Sequence, residues 1–115
     1  LLKSYDLNNF KLIIKLDIEG NEMNAIQGSL KVIKNFSPII IIEFSKYIFE
    51  HQHNIEYLNN FLKKFDYSIY DLNKKKITVE KIMIKLYQLK KRLKTIGNYY
   101  LIKNSSENLK FFLNE

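Results

Sequence analysis

The stretch from Lys11 to Phe44 constrains this chain more than any other, because its hydrophobic period changes twice within 34 residues. Leu12, Ile13, Ile14, Leu16 and Ile18 follow one another almost without a polar break, which predicts a strand buried on both faces over Lys11–Ile18. From Asn21 to Phe36, Met23, Ile26, Leu30 and Ile33 recur at steps of three, four and three, the spacing of one helix face. Glu22 falls in the first turn, where the helix dipole favours negative charge. Ser37-Pro38 ends the helix, since a residue before proline is pushed out of the helical region. Gly28 inside it should cost about 1 kcal/mol relative to alanine, which a close packing contact would explain. Pro38 then opens four isoleucines, Glu43 and Phe44, a β-branched run too short for a helix, so a second central strand is expected over Pro38–Phe44. Strand, helix and strand in this length make a right-handed βαβ crossover with parallel strands.

The rest of the chain continues the alternation. Ile55, Leu58, Leu62 and Phe65 predict a helix from about Asn54, and Tyr67–Leu72 reads as a third strand. Asn73 and the lysines after it read as a turn. Ile77 and Val79 alternate as in a strand, but Ile82, Leu86, Leu89 and Leu93 step by four, three and four, which predicts a helix over Glu80–Lys94. Gly97 ends it, Tyr99–Lys103 is a last strand, and a short helix runs through Phe112. The expected organisation is one partial domain over residues 1–115, with the βαβ unit at 11–44, a helix-strand unit at 54–72, a basic insertion at 74–97 and a strand-helix unit at 98–113. No internal repeat interrupts it.

Composition narrows the class. With 46% hydrophobic and 14% aromatic residues the chain can fill a core. Its longest pure apolar run, Ile39–Ile42, is far shorter than the ~18 residues a membrane helix needs. The opening lacks the apolar core of a secretory signal, and without cysteine there is no disulfide, thiolate nucleophile or cysteine metal site. The expected location is the cytoplasm. A first residue that is Leu, about ten residues before a buried strand, leads to the expectation that the chain is a fragment with sequence missing upstream. The net charge of +7 is local: Lys74 to Lys94 carries +8 and the remainder −1.

In open α/β sheets ligands bind beyond the carboxyl ends of the parallel strands. Asp17 and Glu19 close the first predicted strand, Glu43 closes the second, and Glu22 starts the helix between them. Carboxylates in such a crevice accept a hydroxyl proton, hold a ligand donor or bind a cation. The plainer alternative is that solvent and helix starts favour acids at these places. Lys15, set among apolar neighbours, either snorkels to an edge or pairs with an acid. His51 and His53 stand beside Glu50, but no further histidine and no cysteine completes a ligand set, so no metal site is expected and exposed imidazoles on a loop are the default. The lysines of 74–94 could meet phosphates, but more simply they face water while the leucine stripe packs.

The residues Lys15-x-Asp17-x-Glu19-Gly20-x-Glu22, followed by Gly28, Pro38 and an isoleucine run ending in Glu43, resemble the K-x-D-x-E-G-x-E segment of FkbM-type methyltransferases, including its spacing to the Pro and Glu downstream. The resemblance covers Phe10 to Phe44 well and the remainder by element order. It implies an α/β fold: the C-terminal half of a class I methyltransferase (Rossmann-like) domain, three-layered, with a mainly parallel sheet of strands 4-5-7-6 whose last strand is antiparallel. It implies S-adenosylmethionine as cofactor of the complete protein and O-methylation of a sugar or glycosylated natural product. Carried over by position, Asp17, Glu19 and Lys15 are the catalytic candidates, Glu22 and Glu43 lie near the substrate, and Asp17 is the residue nearest the methyl donor. Whether Asp17 or Glu19 acts as a base stays open, because positioning beside a reactive sulfonium can suffice. The glycine-rich turn and the ribose-binding acid of that family have no counterpart among the three glycines here, and the connection from Leu72 to Tyr99 is long for the family's last hairpin.

A small-molecule or carbohydrate acceptor is the expected partner, and no nucleic acid. The alternative reading is a noncatalytic α/β module docking through the basic helix on an anionic membrane, a nucleic acid or a partner protein. The half-domain expectation predicts that the chain alone self-associates through the edge of strand 11–18 and binds S-adenosylmethionine weakly in calorimetry. A well-behaved monomer with sub-micromolar affinity would refute it.

Overall fold

A computed structural model describes residues 12–16, 22–45, 49–88 and 95–114. Strand β1 (Ile13–Leu16) pairs in parallel with β2 (Ile39–Ser45), with Ile13 opposite Ile39 and Leu16 opposite Ile42. Between them the chain forms two helices, α1 (Glu22–Gly28) and α2 (Leu30–Phe36), where the periodicity predicts one. The interruption falls at Ser29, whose amide donates to the Ile26 carbonyl at 3.0 Å as the first helix closes. Gly28 stands beside this break, and a methyl built on it would meet nothing within 4 Å. A close packing contact therefore does not explain the glycine. The apolar face survives the break: Met23, Ile26 and Ile33 are buried and Leu30 packs against them. Ser37, in the left-handed region at φ 47°, caps α2 by donating its amide to the Ile33 carbonyl.

Helix α3 (Gln52–Phe65) buries Ile55, Leu58 and Phe61 and ends on Asp66, also left-handed, ahead of β3 (Tyr67–Tyr70). Every residue of β3 is buried. It turns back into a short strand, β4 (Lys76–Ile77), where the sequence reads as a turn followed by a strand-like alternation from Ile77, with Ile69 opposite Ile77. Asp71 holds that turn: its Oδ1 accepts from the amides of Asn73 at 2.8 Å and Lys75 at 3.0 Å. Helix α4 (Val79–Gln88) buries Val79, Ile82 and Leu86, β5 (Thr95–Lys103) follows, and α5 (Glu107–Leu113) ends the described chain.

The expectation of a mainly parallel, half-Rossmann sheet is overturned. The strand order is β1-β2-β5-β3-β4, with β1–β2 the parallel pairing and β2–β5, β3–β5 and β3–β4 antiparallel. The reason is the place of β5. It inserts between β2 and β3 and runs opposite to both, so each of its ladders is antiparallel, and the β3–β4 hairpin adds another. The fold is a small α/β domain on a mixed sheet of five strands among the described residues.

Helices cover the sheet unequally. One face, with Ile40, Ile42 and Phe44 of β2 and Tyr99 and Leu101 of β5, meets α1 to α4 in the main core. Phe44, fully buried, lies 5.7 Å from the Phe49 ring and 5.5 Å from that of Tyr99. The other face carries α5, whose Phe112 stacks at 5.5 Å on Tyr70 and 5.0 Å on Tyr100 over Ile39 and Ile102. Ser106 caps α5 by accepting from the Leu109 amide, and Asn108 ties the helix to the Ser37 carbonyl at 2.8 Å. Among the described residues no helix is long and apolar enough to cross a membrane.

Tyr67 joins the starts of β3 and β2 through its buried hydroxyl, which donates to the Pro38 carbonyl at 2.7 Å. Burial pushes the phenols of Tyr67, Tyr70 and Tyr57 up, and that of Tyr99 up by burial and then by the negative charge of Asp71. The folded state thus favours the neutral phenol. Its contribution is whole below the unfolded value of about 10 and is lost as pH rises above it, because the unfolded chain gives up the proton first. Denaturant titrations should show stability falling above about pH 10. Tyr67→Phe should cost about 1–2 kcal/mol at neutral pH, by leaving the buried carbonyl without its donor, and should flatten the alkaline fall. An unchanged alkaline slope in the variant would contradict this assignment.

Candidate functional site

Alternation along the strands decides which side chains share a face. Ile39, Ile41 and Glu43 of β2 point to the side of α5, as do Asn98, Tyr100 and Ile102 of β5 and Ile13 and Lys15 of β1, in the observed register. The apolar members of this set, Ile39, Ile41, Tyr100 and Ile102, pack with α5. The polar members, Lys15, Glu43 and Asn98, lie further along, toward the carboxyl ends of β1 and β2.

Glu43 stands directly opposite Asn98 in the β2–β5 ladder, a relation that sets Cβ atoms about 4.5–5.5 Å apart. Lys15 is opposite Ile41. Strand spacing and rise put its Cα about 8 Å from that of Glu43. Lys15 is exposed and Glu43 half-buried. Neither makes an ion pair among the described residues, where Lys110 and Glu107 do so at 3.5 Å. Among the described residues β1 is an edge strand, and Lys15 is exposed on it.

Asn98 is the residue that sequence reasoning missed. Its Oδ1 is buried and has no hydrogen-bond partner among the described residues. Beside it the ladder slips: β2 advances from Glu43 to Ser45 while β5 passes from Asn98 to Thr95, leaving an extra residue on β5. Gly97, at φ +89°, occupies this bulge, in a conformation that favours glycine. Gly97 therefore lies inside a strand and does not terminate the preceding helix, as the sequence had suggested. The available signal was an isolated glycine beside the strand pattern, since a glycine within a strand suggests a bulge.

Asp17 and Glu19 lie outside the described residues, as does the side chain of Glu22, whose backbone opens α1. In sequence Asp17 follows Leu16, the register partner of Ile42, and Glu43 follows Ile42. The structure thus brings two of the predicted residues, Lys15 and Glu43, to one sheet face and adds Asn98. Chemically this end offers acceptor-only carboxylate oxygens, a carboxamide with an acceptor oxygen and two N–H donors, and an ammonium donor.

Features elsewhere are of another kind. His51 precedes α3 and His53 sits in its first turn rather than on a loop, with ring centroids 5.5 Å apart. No group of three His, Cys, Asp or Glu side chains that could hold a metal occurs among the described residues. Helix α4 turns Val79, Ile82 and Leu86 to the core and leaves Lys81 and Lys85 exposed, while residues 89–94 are outside the described set. Clefts of ≈ 380 Å³, between α3, β3, β4 and α4, and ≈ 520 Å³, at the ends of α2, α3 and β5, are lined by neither Glu43 nor Asn98.

No curated protein and no solved structure matches this chain. A family model described as the methyltransferase FkbM domain matches residues 1–69, a span that holds β1, the helical crossover, β2, α3 and most of β3. With more than half of its length matched, and with Lys15 and Glu43 inside the match, the chain belongs to the FkbM methyltransferase domain family.

Proposed function

We propose that this chain forms the acceptor side of an active site in which a hydroxyl of a sugar or glycosylated natural product receives a methyl group from S-adenosylmethionine. The observation that carries the reading is the half-buried Glu43, without an ion pair among the described residues, at the carboxyl end of a parallel strand inside the family match. That end is where open α/β sheets bind their ligands.

The described residues fit the cofactor in part. The carboxylate of Glu43 at the strand end suits a cationic sulfonium. Of the described glycines, Gly28 closes α1 and Gly97 makes a bulge, so neither forms the strand-to-helix turn that cradles a ribose and phosphate-like group.

When bound, S-adenosylmethionine supplies a methyl group already activated on sulfur. The remaining work belongs to side chains. The acceptor oxygen must be held in line with the carbon–sulfur bond, which breaks as the oxygen–carbon bond forms, and the hydroxyl proton must leave to a carboxylate or to water. In this reading Glu43 holds the hydroxyl by accepting a hydrogen bond from it. Asp17 and Glu19 are the further candidates for base or positioning group, Lys15 for balancing the charge, and Glu22 for a contact at the start of α1.

The test is transfer of labelled methyl from S-adenosylmethionine to a panel of sugars and glycosides by the chain and by Asp17→Asn, Glu19→Gln and Glu43→Gln. Loss of a general base should lower kcat about 10²–10⁴-fold. Loss of a positioning carboxylate should act mainly on KM. Transfer unaffected by all three substitutions would overturn the reading.

A further inference from the structure

The inward pattern of β5 closes on a charge. Tyr99 and Leu101 face the main core, and two residues on, Lys103 stands on the same face, opposite Tyr67 in the β3–β5 ladder. This is the end of the sheet where β2 and β3 begin, joined by the hydrogen bond from Tyr67 to Pro38, and it lies away from Glu43 and Asn98. The cleft of ≈ 520 Å³ at this end receives Lys103 from β5, Lys34 from the last turn of α2 and Lys64 from the last turn of α3, with Ile33 and Phe65 as apolar wall.

Helix dipoles favour a lysine in a last turn, and so account for Lys34 and Lys64 singly. They do not account for Lys103, which a strand brings, half-buried, to the same cleft. The last-turn carbonyls of Ile33 and Leu62 are taken by the capping amides of Ser37 and Asp66. None of the three lysines forms an ion pair among the described residues. Asp66 is the acid in the lining, and its Oδ1 accepts from Asn104 Nδ2 at 2.9 Å. Ser68 donates in turn to Asn104 Oδ1 at 2.8 Å, which holds that amide toward Asp66. Like charges gathered on one cleft repel, and each ammonium offers three donors and no acceptor.

We propose that this cleft binds a phosphate group, carried by a soluble phosphomonoester or by a lipid head group. Three ammonium groups against one carboxylate leave the positive excess that a dianionic phosphate matches. Lysine meets phosphate as a point charge with rotatable donors, so stems from three separate elements can each reach a different oxygen. Ile33 and Phe65 give the bearer of the phosphate an apolar surface to lie on. The site is independent of the acceptor reading, since it uses none of Lys15, Glu43 and Asn98.

The experiment titrates the full chain, labelled with ¹⁵N, with sodium phosphate against sodium chloride at neutral pH and constant ionic strength. The amide signals of Lys34, Phe65 and Lys103 should shift saturably with phosphate, and those of Lys81 and Lys85 on α4 should not. Lys103→Met should weaken phosphate binding about tenfold or more, the effect of one lost charge-assisted hydrogen bond, whereas Lys103→Arg, which keeps the charge, should bind. Lys34→Met, at an exposed position, should weaken binding likewise and decides the matter if Lys103→Met does not fold. Lys81→Met combined with Lys85→Met removes more charge and should bind as the unsubstituted chain does. Glycerol 3-phosphate and vesicles containing phosphatidic acid, which present the same phosphate in soluble and lipid form, are then set in competition with inorganic phosphate. Displacement by the first assigns the site to a soluble ester, and displacement by the vesicles alone assigns it to a lipid head group. Shifts that follow ionic strength only, equal shifts on α4, full binding by Lys34→Met, or displacement by neither competitor would each overturn the proposal.

Discussion

The antiparallel ladder between β2 and β5 is the interaction on which the rest of this structure depends. These strands occupy the middle of the sheet, and their side chains supply both cores: Ile40, Ile42, Phe44, Tyr99 and Leu101 to one, Ile39, Tyr100 and Ile102 to the other. Ile40, Ile42, Phe44, Leu101 and Ile102 are fully buried, and burying such side chains stabilises by about 1.5–3 kcal/mol each. Among the described residues β1 reaches the sheet through β2 alone, and β3 with its hairpin through β5 alone. Without this ladder neither helical layer has a surface to cover.

The same ladder decides where polar groups accumulate. α5 is a short helix, and it covers the part of its face built by Ile39, Ile41, Tyr100 and Ile102. Its cap on Ser106 and the bond from Asn108 to Ser37 fix it over the amino end of β2. Toward the carboxyl end the inward pattern of β2 and β5 ends in Glu43 and Asn98, and that of β1 in Lys15. Packing and chemistry thus divide one sheet face between them. The boundary falls where the helix stops and the bulge at Gly97 begins. The chain belongs to the FkbM methyltransferase domain family, and both Lys15 and Glu43 lie within the matched residues.

How much of this was legible in the sequence follows from which interactions are local. The change from a continuous apolar run to steps of three and four, and back to four isoleucines, is a property of neighbouring residues, and β1, the helical crossover and β2 followed from it. The break at Ser29 left no trace in that period, because both halves keep the same face toward the core. The partner of β2 was not legible at all. Tyr99–Lys103 reads as a strand wherever it sits, and only pairing between residues far apart in the chain makes the sheet mixed instead of mainly parallel. β4 was hidden for a related reason: two residues pinned by the Asp71 turn carry no period. In the site, acids stood out by charge, whereas Asn98 became visible only when its oxygen proved buried and without a donor among the described residues. The resemblance to the family identified the βαβ segment correctly and misled on the sheet, since it was carried beyond the residues that support it.

The most direct measurement of the account is the set of backbone proton–proton contacts across β2 in solution. Contacts pairing Ile42 with Tyr99 and Glu43 with Asn98 are predicted, in the alternating close and wide spacing of an antiparallel ladder. Contacts from Ile39–Ile42 to Tyr67–Tyr70 in a parallel register would instead seat β3 beside β2, separate Asn98 from Glu43, and contradict both the fold and the site.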